Sequence, residues 1–275
     1  MIALLVAFAV SLGATLLVVR SAKLHGRVLD HDVSGPQKFH VHPVPRIGGV
    51  AIFAGLLAAQ VALLVVQRDA GASGLLLLAC GGVAFVAGLA EDLTKRVSPG
   101  RRLLATAVSA ALAAWVLGSL ITRTDIPGLD WVVSFGAGAL LLTVFAVAGI
   151  ANSVNIIDGF NGLASMCVVI MLAALAYVGF QVGDEVVGAL ALAGIGAVLG
   201  FFVWNFPRGA IFLGDGGAYF LGFYVAEVAL LLLARNARVS PLFPLLVVFY
   251  PVFETLFSIY RRRFLRAVPP SMPDG

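Results

Sequence analysis

Nine stretches of seventeen or more residues carry little or no charge, at 2–19, 47–66, 74–90, 103–121, 131–151, 163–180, 186–204, 218–234 and 241–260. Each is close to the roughly 20 apolar residues that a helix needs to cross about 30 Å of hydrocarbon. In that medium no water satisfies the backbone, so a spanning chain must form helices or a closed barrel. Barrel strands would run for about ten residues with alternating polarity, and these stretches are longer and apolar throughout. The sequence therefore predicts an all-α fold, a polytopic bundle of about nine membrane-spanning helices forming a single integral-membrane domain over residues 1–275. Charged residues make up only 12% of the chain and the mean hydropathy is +1.04. Soluble domains average about 25% charged residues, so soluble enzymes, disordered chains and secreted disulfide scaffolds are all excluded. Cys80 and Cys167 lie inside apolar stretches and read as small buried hydrophobes, with no redox or metal duty.

The first apolar run has no basic residue ahead of it and Arg20 behind it, the reverse of the order in a cleaved signal peptide. It is expected to remain as the first helix. Of the eighteen Lys and Arg residues, fourteen fall in the alternate loops 20–46, 91–102, 152–162 and 205–217 and in the tail 261–275. The others are Arg68, Arg123, Arg235 and Arg238. Basic loops stay in the cytoplasm, which puts the N-terminus outside and the first set of loops inside. The net charge of +4 thus reports orientation, and no nucleic-acid partner is expected. The outside loops are short and rich in turn formers such as Pro127-Gly128 and Gly183-Asp184; every loop with a distinctive polar string faces the cytoplasm.

Those inside loops set carboxylates and amides at helix ends, two of them beside glycines. Glu91 and Asp92 end the third stretch, Asn155 and Asp158 follow the fifth, and Asp215 precedes the eighth. Brought to one membrane surface, such oxygens form a hard anionic cluster suited to Mg²⁺ or Mn²⁺. Around them stand Lys38, Arg46, Lys95, Arg96, Arg101, Arg102, Arg208 and the run Arg261 to Arg263. A divalent ion on carboxylates, flanked by cations, handles a pyrophosphate or transfers a phosphoryl group, and a site at the membrane surface suggests a lipid substrate. Each feature also has an ordinary explanation. Loop cations hold orientation, Asn and Asp beside Gly make turns and caps, and prolines stop helices. What these leave unexplained is the concentration of two long Asn/Asp/Gly strings on one side only.

Four strings resemble the polyprenyl-phosphate N-acetylhexosamine-1-phosphate transferases of glycosyltransferase family 4. They are NSVNIIDGFNGLA from Asn152, IFLGDGGA from Ile211, EDLTK from Glu91 and KFHVHPVPRIGG from Lys38. They stand in the family's order, each in a loop of the expected sidedness, and cover nearly the whole chain. The resemblance implies transfer of a sugar 1-phosphate from a UDP-N-acetylhexosamine to undecaprenyl phosphate, releasing UMP, with Mg²⁺ or Mn²⁺, as the first membrane step of envelope polysaccharide synthesis in a bacterial inner membrane. It also allows a homodimer. Residue by residue it implies Asp215 and Asn155 as metal ligands and Asn161 as the uracil-recognising residue. Asp158 would organise the metal site, Asp92 would accept the lipid phosphate's proton or position that phosphate, and Lys95 would balance phosphate charge. Glu91 joins the catalytic group, and Asn152, Lys38, Arg46, Arg261 and Arg262 join the substrate-binding group.

Three departures stand out. Glu91 replaces the aspartate usual at that position, Ala218 replaces a serine, and the chain stops at Gly275, where members continue through a loop with a His-x-His-type motif and at least one further helix. The expectation is a chain lacking that loop and the last helix or helices. Glu227 and Glu254 are the only charges in the predicted spans, and an intramembrane carboxylate is a functional candidate by default; Glu254 is expected to pair with an interfacial Arg. Gly196 and Gly200 form a small-xxx-small pair suited to helix packing. The competing reading is a transporter or flippase for a lipid-linked or anionic substrate. Transporters place their site near the midplane on broken helices, whereas these polar strings sit in loops between continuous spans. An alcohol phosphatidyltransferase would need Asp repeated at four-residue spacing, which is absent.

Overall fold

The computed structural model describes residues 1–25, 29–30 and 44–265. Among these are α1 (Ile2–His25), α2 (Gly48–Val66), α3 (Arg68–Thr94), α4 (Pro99–Leu117), α5 (Leu129–Val133), α6 (Gly136–Ile157), α7 (Leu163–Gln181), α8 (Glu185–Asn205), α9 (Gly214–Arg235), α10 (Leu242–Val247) and α11 (Phe249–Tyr260). A π-helical turn, Arg261–Leu265, follows α11. Two short strands, β1 (Leu29–Asp30) and β2 (Val44–Pro45), pair antiparallel with Leu29 opposite Pro45. Eight helices, α1 to α4 and α6 to α9, are long and apolar enough to cross a membrane. The chain is an all-α, multi-pass membrane protein.

The expected ninth span, 241–260, is divided into α10 and α11 at Val248, where φ is −90° and ψ is 8°. Pro251 accounts for the break. It has no N–H to offer the Val247 carbonyl one turn back, and its ring crowds that carbonyl. The expected span 131–151 is also altered. A corner after α5 separates it from α6, and the corner is tight enough that a Cβ on Gly138 would meet the Val132 carbonyl oxygen at 2.1 Å. At its other end α6 runs on to Ile157, so Asn152 and Asn155 stand on the last turns of a helix and not in a loop. Asp215 likewise lies within the first turn of α9.

Helix α9 is the hub, with 89% of its apolar window buried against 28% for α1 and α4. It packs against α2, α3, α4, α6, α7 and α8. Its sequence explains this position in two ways. Tyr219, Phe220, Phe223 and Tyr224 supply large buried side chains, and Phe220 completes an aromatic cluster with Phe53 and Phe85 at centroid separations of 5.1 and 5.8 Å. The Tyr224 hydroxyl donates to the Leu190 carbonyl at 2.8 Å, which is how a buried phenol stays satisfied. The glycines do the opposite work. A Cβ on Gly88 of α3 would sit 2.6 Å from Gly216 Cα, one on Gly49 of α2 would sit 2.5 Å from Gly217 Cα, and one on Gly222 would sit 2.5 Å from Ala151 Cα of α6. Small residues let helix backbones touch where the hydrophobic effect does not drive association. The Gly196 and Gly200 pair works the same way, facing the Leu4 and Phe8 carbonyls of α1.

Glu227, mid-way along α9, is fully buried, and among the described residues neither of its carboxylate oxygens nor the buried Ser119 hydroxyl has a hydrogen-bond partner.

Candidate active site

The site begins as a backbone seam between two segments far apart in sequence. Phe212 N–H donates to the Pro45 carbonyl at 2.9 Å, Gly48 N–H donates to the Phe212 carbonyl at 2.9 Å, and Gly49 N–H donates to the Leu213 carbonyl at 3.0 Å. The seam fixes the entry into α9. Gly214 enters at φ +76°, in the left-handed region that glycine adopts without steric cost. A Cβ there would meet the Arg46 carbonyl oxygen at 2.1 Å.

The first N–H groups of a helix have no partner within it, and the last turn of α3 supplies one. Asp92 Oδ1 accepts from Asp215 N–H at 2.8 Å and Oδ2 accepts from Gly216 N–H at 2.9 Å. A carboxylate there also meets the positive end of the α9 dipole. Gly88, one turn earlier on α3, lets that turn approach closely enough for both bonds. Asp215 is held by its side chain from two further helices: Oδ1 accepts from the Asn155 amide of α6 at 2.8 Å, and Oδ2 accepts from Arg102 of α4. The Arg102 guanidinium lies over the Tyr219 ring, 5.4 Å from its centroid, within cation–π range. The Tyr219 hydroxyl donates to Asn152 Oδ1 at 3.1 Å. One polar unit thus ties α3, α4, α6 and α9 together at one end of the bundle.

Asp158, just past the end of α6, has its carboxyl pushed up to about 7. Burial is the largest cause; the charges of Asp215 and Asp92 act the same way, and Arg46 opposes them. The Arg46 charge also acts on Asp92. Beyond Asp158 the chain turns through Asn161 to Gly162, at φ +81°. Gly162 N–H donates to Asn205 Oδ1 at 2.7 Å, and Asn205 Nδ2 donates to the Ile211 carbonyl at 2.8 Å. Buried Asn205 therefore fastens the third inside loop to the fourth.

Asp92, Asn155 and Asp215 are joined directly, Asp158 and Arg46 are coupled to them by charge, and Asn152 is joined through Tyr219 and Arg102. Glu91 and Lys95 stand outside that hydrogen-bonded unit. Glu91 Oε2 accepts from Val97 N–H at 2.6 Å, so that carboxylate shapes the α3–α4 turn. Lys95 is the left-handed C-cap of α3, φ 56°, with an exposed side chain. Arg261 follows α11, which packs on α6. Lys38 and the side chain of Arg262 lie outside the described residues. Among those described, no three His, Cys, Asp or Glu side chains converge as a metal cage.

Sequence reasoning passed over Tyr219 and Asn205 and did not separate Arg102 from its neighbours. A signal for Arg102 exists. Thr106, Ser109 and Ala113 are buried on α4, and with Arg102 they repeat at the spacing of one helical face, so Arg102 points inward and Arg101, which is exposed, does not.

Fold and site together define a multi-pass membrane protein with a carboxylate, amide and guanidinium cluster where the ends of several spans meet. A family model for glycosyl transferase family 4 matches residues 74–233, more than half of the chain, and the chain belongs to that family. It is 31% identical over 277 residues to the probable undecaprenyl-phosphate N-acetylglucosaminyl 1-phosphate transferase of Bacillus subtilis (strain 168), spanning 100% of this chain and 75% of that one. It is 33% identical over 224 residues to the phospho-N-acetylmuramoyl-pentapeptide-transferase of Clostridium botulinum (strain Eklund 17B / Type B), 78% of this chain and 66% of that one. A putative UDP-N-acetylglucosamine–dolichyl-phosphate N-acetylglucosaminephosphotransferase of Saccharolobus solfataricus is 29% identical over 259 residues, 93% of this chain and 78% of that one.

Proposed function

We propose that this protein transfers an N-acetylhexosamine 1-phosphate from a UDP-sugar to a polyprenyl phosphate such as undecaprenyl phosphate, releasing UMP. The observation that carries this reading is the Asp92–Asp215–Asn155–Arg102 unit at the ends of four helices, in a chain whose relatives bear transferase names. An oxygen of the lipid phosphate attacks the β-phosphorus of the donor, and the bond from that phosphorus to the bridging oxygen breaks. UMP leaves with the bridging oxygen, and the product is a polyprenyl-pyrophosphate sugar. Both reactants are anionic, so their repulsion must be cancelled before geometry helps.

The residues suit a hard divalent cation, Mg²⁺ or Mn²⁺. Their donors are carboxylate and amide oxygens, the hard ligands that suit Mg²⁺, which is held by one or two carboxylates together with water and substrate phosphate oxygens. Asp215 and Asn155 would hold the ion, with Asp158 beside them. When bound, it supplies Lewis-acid stabilisation of charge on the transferring phosphoryl group. Asp92 positions the start of α9 and so the Asp215 carboxylate, and as a carboxylate it would accept the lipid phosphate's proton. Asn161 reads the uracil, in a loop held by Asn205, while Arg46 and Lys95 balance phosphate charge. The basic loops set this face in the cytoplasm, consistent with a bacterial inner-membrane enzyme fed by soluble nucleotide sugars.

The test is incubation of purified protein with labelled UDP-N-acetylhexosamines, undecaprenyl phosphate and Mg²⁺. A lipid-linked sugar and stoichiometric UMP are expected. Movement of lipid-linked sugar across vesicles without UMP release would favour a flippase instead.

A further inference from the structure

A wedge opens at the end of the bundle away from Asp215, where α1 begins, α2 and α7 end, and α8 begins. Asp215 and Arg235 stand at opposite ends of α9, whose length at 1.5 Å per residue is about 33 Å. Arg235 meets Asp184, the residue before α8, so the wedge lies a full helix length from the candidate active site. Ile2, Leu63, Phe180 and Leu192 wall a cavity of about 320 Å³. Ile2 and Phe180 are about half exposed, at 46% and 50%, so the cavity opens toward the lipid around the bundle. The Phe180 ring lies on α8 at Gly188, where a Cβ would meet it at 2.4 Å.

Two polar side chains stand in this apolar setting. Gln67, the single residue between α2 and α3, donates from Nε2 to Glu185 Oε2 at 3.5 Å, longer than an ordinary hydrogen bond. Among the described residues the Glu185 carboxylate has no other side-chain hydrogen bond and no ion pair, not even with Met1 at the rim of the wedge. An acid in the first turn of α8 suits the helix dipole, but that leaves the cavity beside it without an explanation. One water takes about 30 Å³, so the space is far larger than a bare cation needs, and the apolar walls offer a hydrated ion nothing. An amphiphile with a cationic head matches both features.

We propose that this wedge binds a phospholipid with a primary-ammonium headgroup, of the phosphatidylethanolamine type. The ammonium sits between the Glu185 carboxylate and the Gln67 amide oxygen, and the first acyl methylenes lie along Ile2, Leu63, Phe180 and Leu192. An ammonium brings three N–H donors to these acceptors; a trimethylammonium head brings none, and the net charge of a phosphatidylglycerol is repelled by Glu185. With the basic loops holding Asp215 in the cytoplasm, this lipid belongs to the outer leaflet. The site uses no residue of the Asp215 cluster, so it stands or falls apart from the transferase reading.

The full chain, purified in detergent, is given an equimolar mixture of phosphatidylethanolamine, phosphatidylcholine and phosphatidylglycerol with the same acyl chains, and the retained lipid is read by native mass spectrometry. Wild type should retain the ethanolamine lipid about threefold to fivefold over either competitor, the range of one solvent-screened ion pair, and that lipid should raise the thermal midpoint most. E185Q should lose the preference, and E185K should turn it toward phosphatidylglycerol. D125N is the control: Asp125 lies outside the wedge, pairs with Arg123 at 3.6 Å and has φ 59°, a region where Asn is at home, so its lipid preference should be that of the wild type. Equal retention of the three lipids by wild type, an undiminished preference in E185Q, or the same loss in D125N overturns the inference. Displacement of lipid on dimerisation, with no headgroup preference in the monomer, also overturns it and assigns the wedge to a second copy of the chain.

Discussion

Asp215 and Asp92 carry the same charge but sit in different surroundings, so their amide variants should fail differently. Asp215 offers side-chain oxygens to a neighbouring amide and a guanidinium, both replaceable partners. Asp215→Asn keeps the shape and removes the charge that holds a hard cation, so Mn²⁺ binding and transfer should both collapse; near-normal turnover at limiting Mg²⁺ would rule out the metal role. Asp92 binds backbone N–H groups that have no alternative partner. In Asp92→Asn one of the two must face an amide nitrogen, at a cost of about 1–3 kcal/mol. The variant should melt earlier and show a reduced kcat with UDP-sugar affinity near that of the wild type. Lost nucleotide affinity with an unchanged saturating rate would move Asp92 to the donor site. Both aspartates were legible as candidates from the sequence strings alone. The bonds that separate them were not, because each depends on a partner more than fifty positions away.

At the scale of elements, the approach of α3 to α9 is the feature on which the site depends. Gly88→Ala would force a Cβ against the Gly216 backbone, and such overpacking costs about 1–3 kcal/mol. The variant should lose both thermal stability and transfer, since the N-terminus of α9 carries Asp215. Gly82→Ala on the same helix is the control: its Cβ would meet nothing within 4 Å, and melting and activity should be unchanged. If the two variants behave alike, close packing at Gly88 is not what seats the site.

The far end of the bundle has its own electrostatic clasp. Asp184 caps α8 through Val187 N–H at 3.2 Å and accepts from Arg235 Nε and Asn236 Nδ2 of the α9 end, both at 2.8 Å. Burial raises its carboxyl pKa, but these hydrogen bonds and the Arg235 charge outweigh burial and leave it below the ordinary value of 3.8. A depressed acid stabilises the fold above its unfolded pKa, and the contribution is lost as pH falls through the folded one. The thermal midpoint should therefore differ between wild type and Asp184→Asn at neutral pH and converge below about pH 4. A difference that persists undiminished at pH 3 would exclude the charge as its source.

For the whole molecule, the proposed orientation predicts which positions an impermeant reagent reaches. With Cys80 and Cys167 replaced by Ala, Ala237→Cys, in the connection after α9, should react with a membrane-impermeant maleimide on intact cells. Ser98→Cys, between α3 and α4, should react only after permeabilisation. The reverse pattern would put the site outside, away from cytoplasmic nucleotide sugars. The sequence by itself determined the class of architecture, since apolar length and the positions of Lys and Arg are local properties that the bilayer reads directly. It also showed the polar strings that hold the candidate site residues and the family that they resemble. Only the tertiary structure decided that α9 is the buried hub, that Asn152, Asn155 and Asp215 stand on helix turns and not in loops, and that Pro251 divides the last span. It alone selected Arg102, Tyr219 and Asn205 from similar residues nearby. The physical reason is that hydropathy specifies where a segment sits along the membrane normal, whereas the partner each polar atom finds depends on how closely neighbouring helices approach, and small residues on several helices set that jointly.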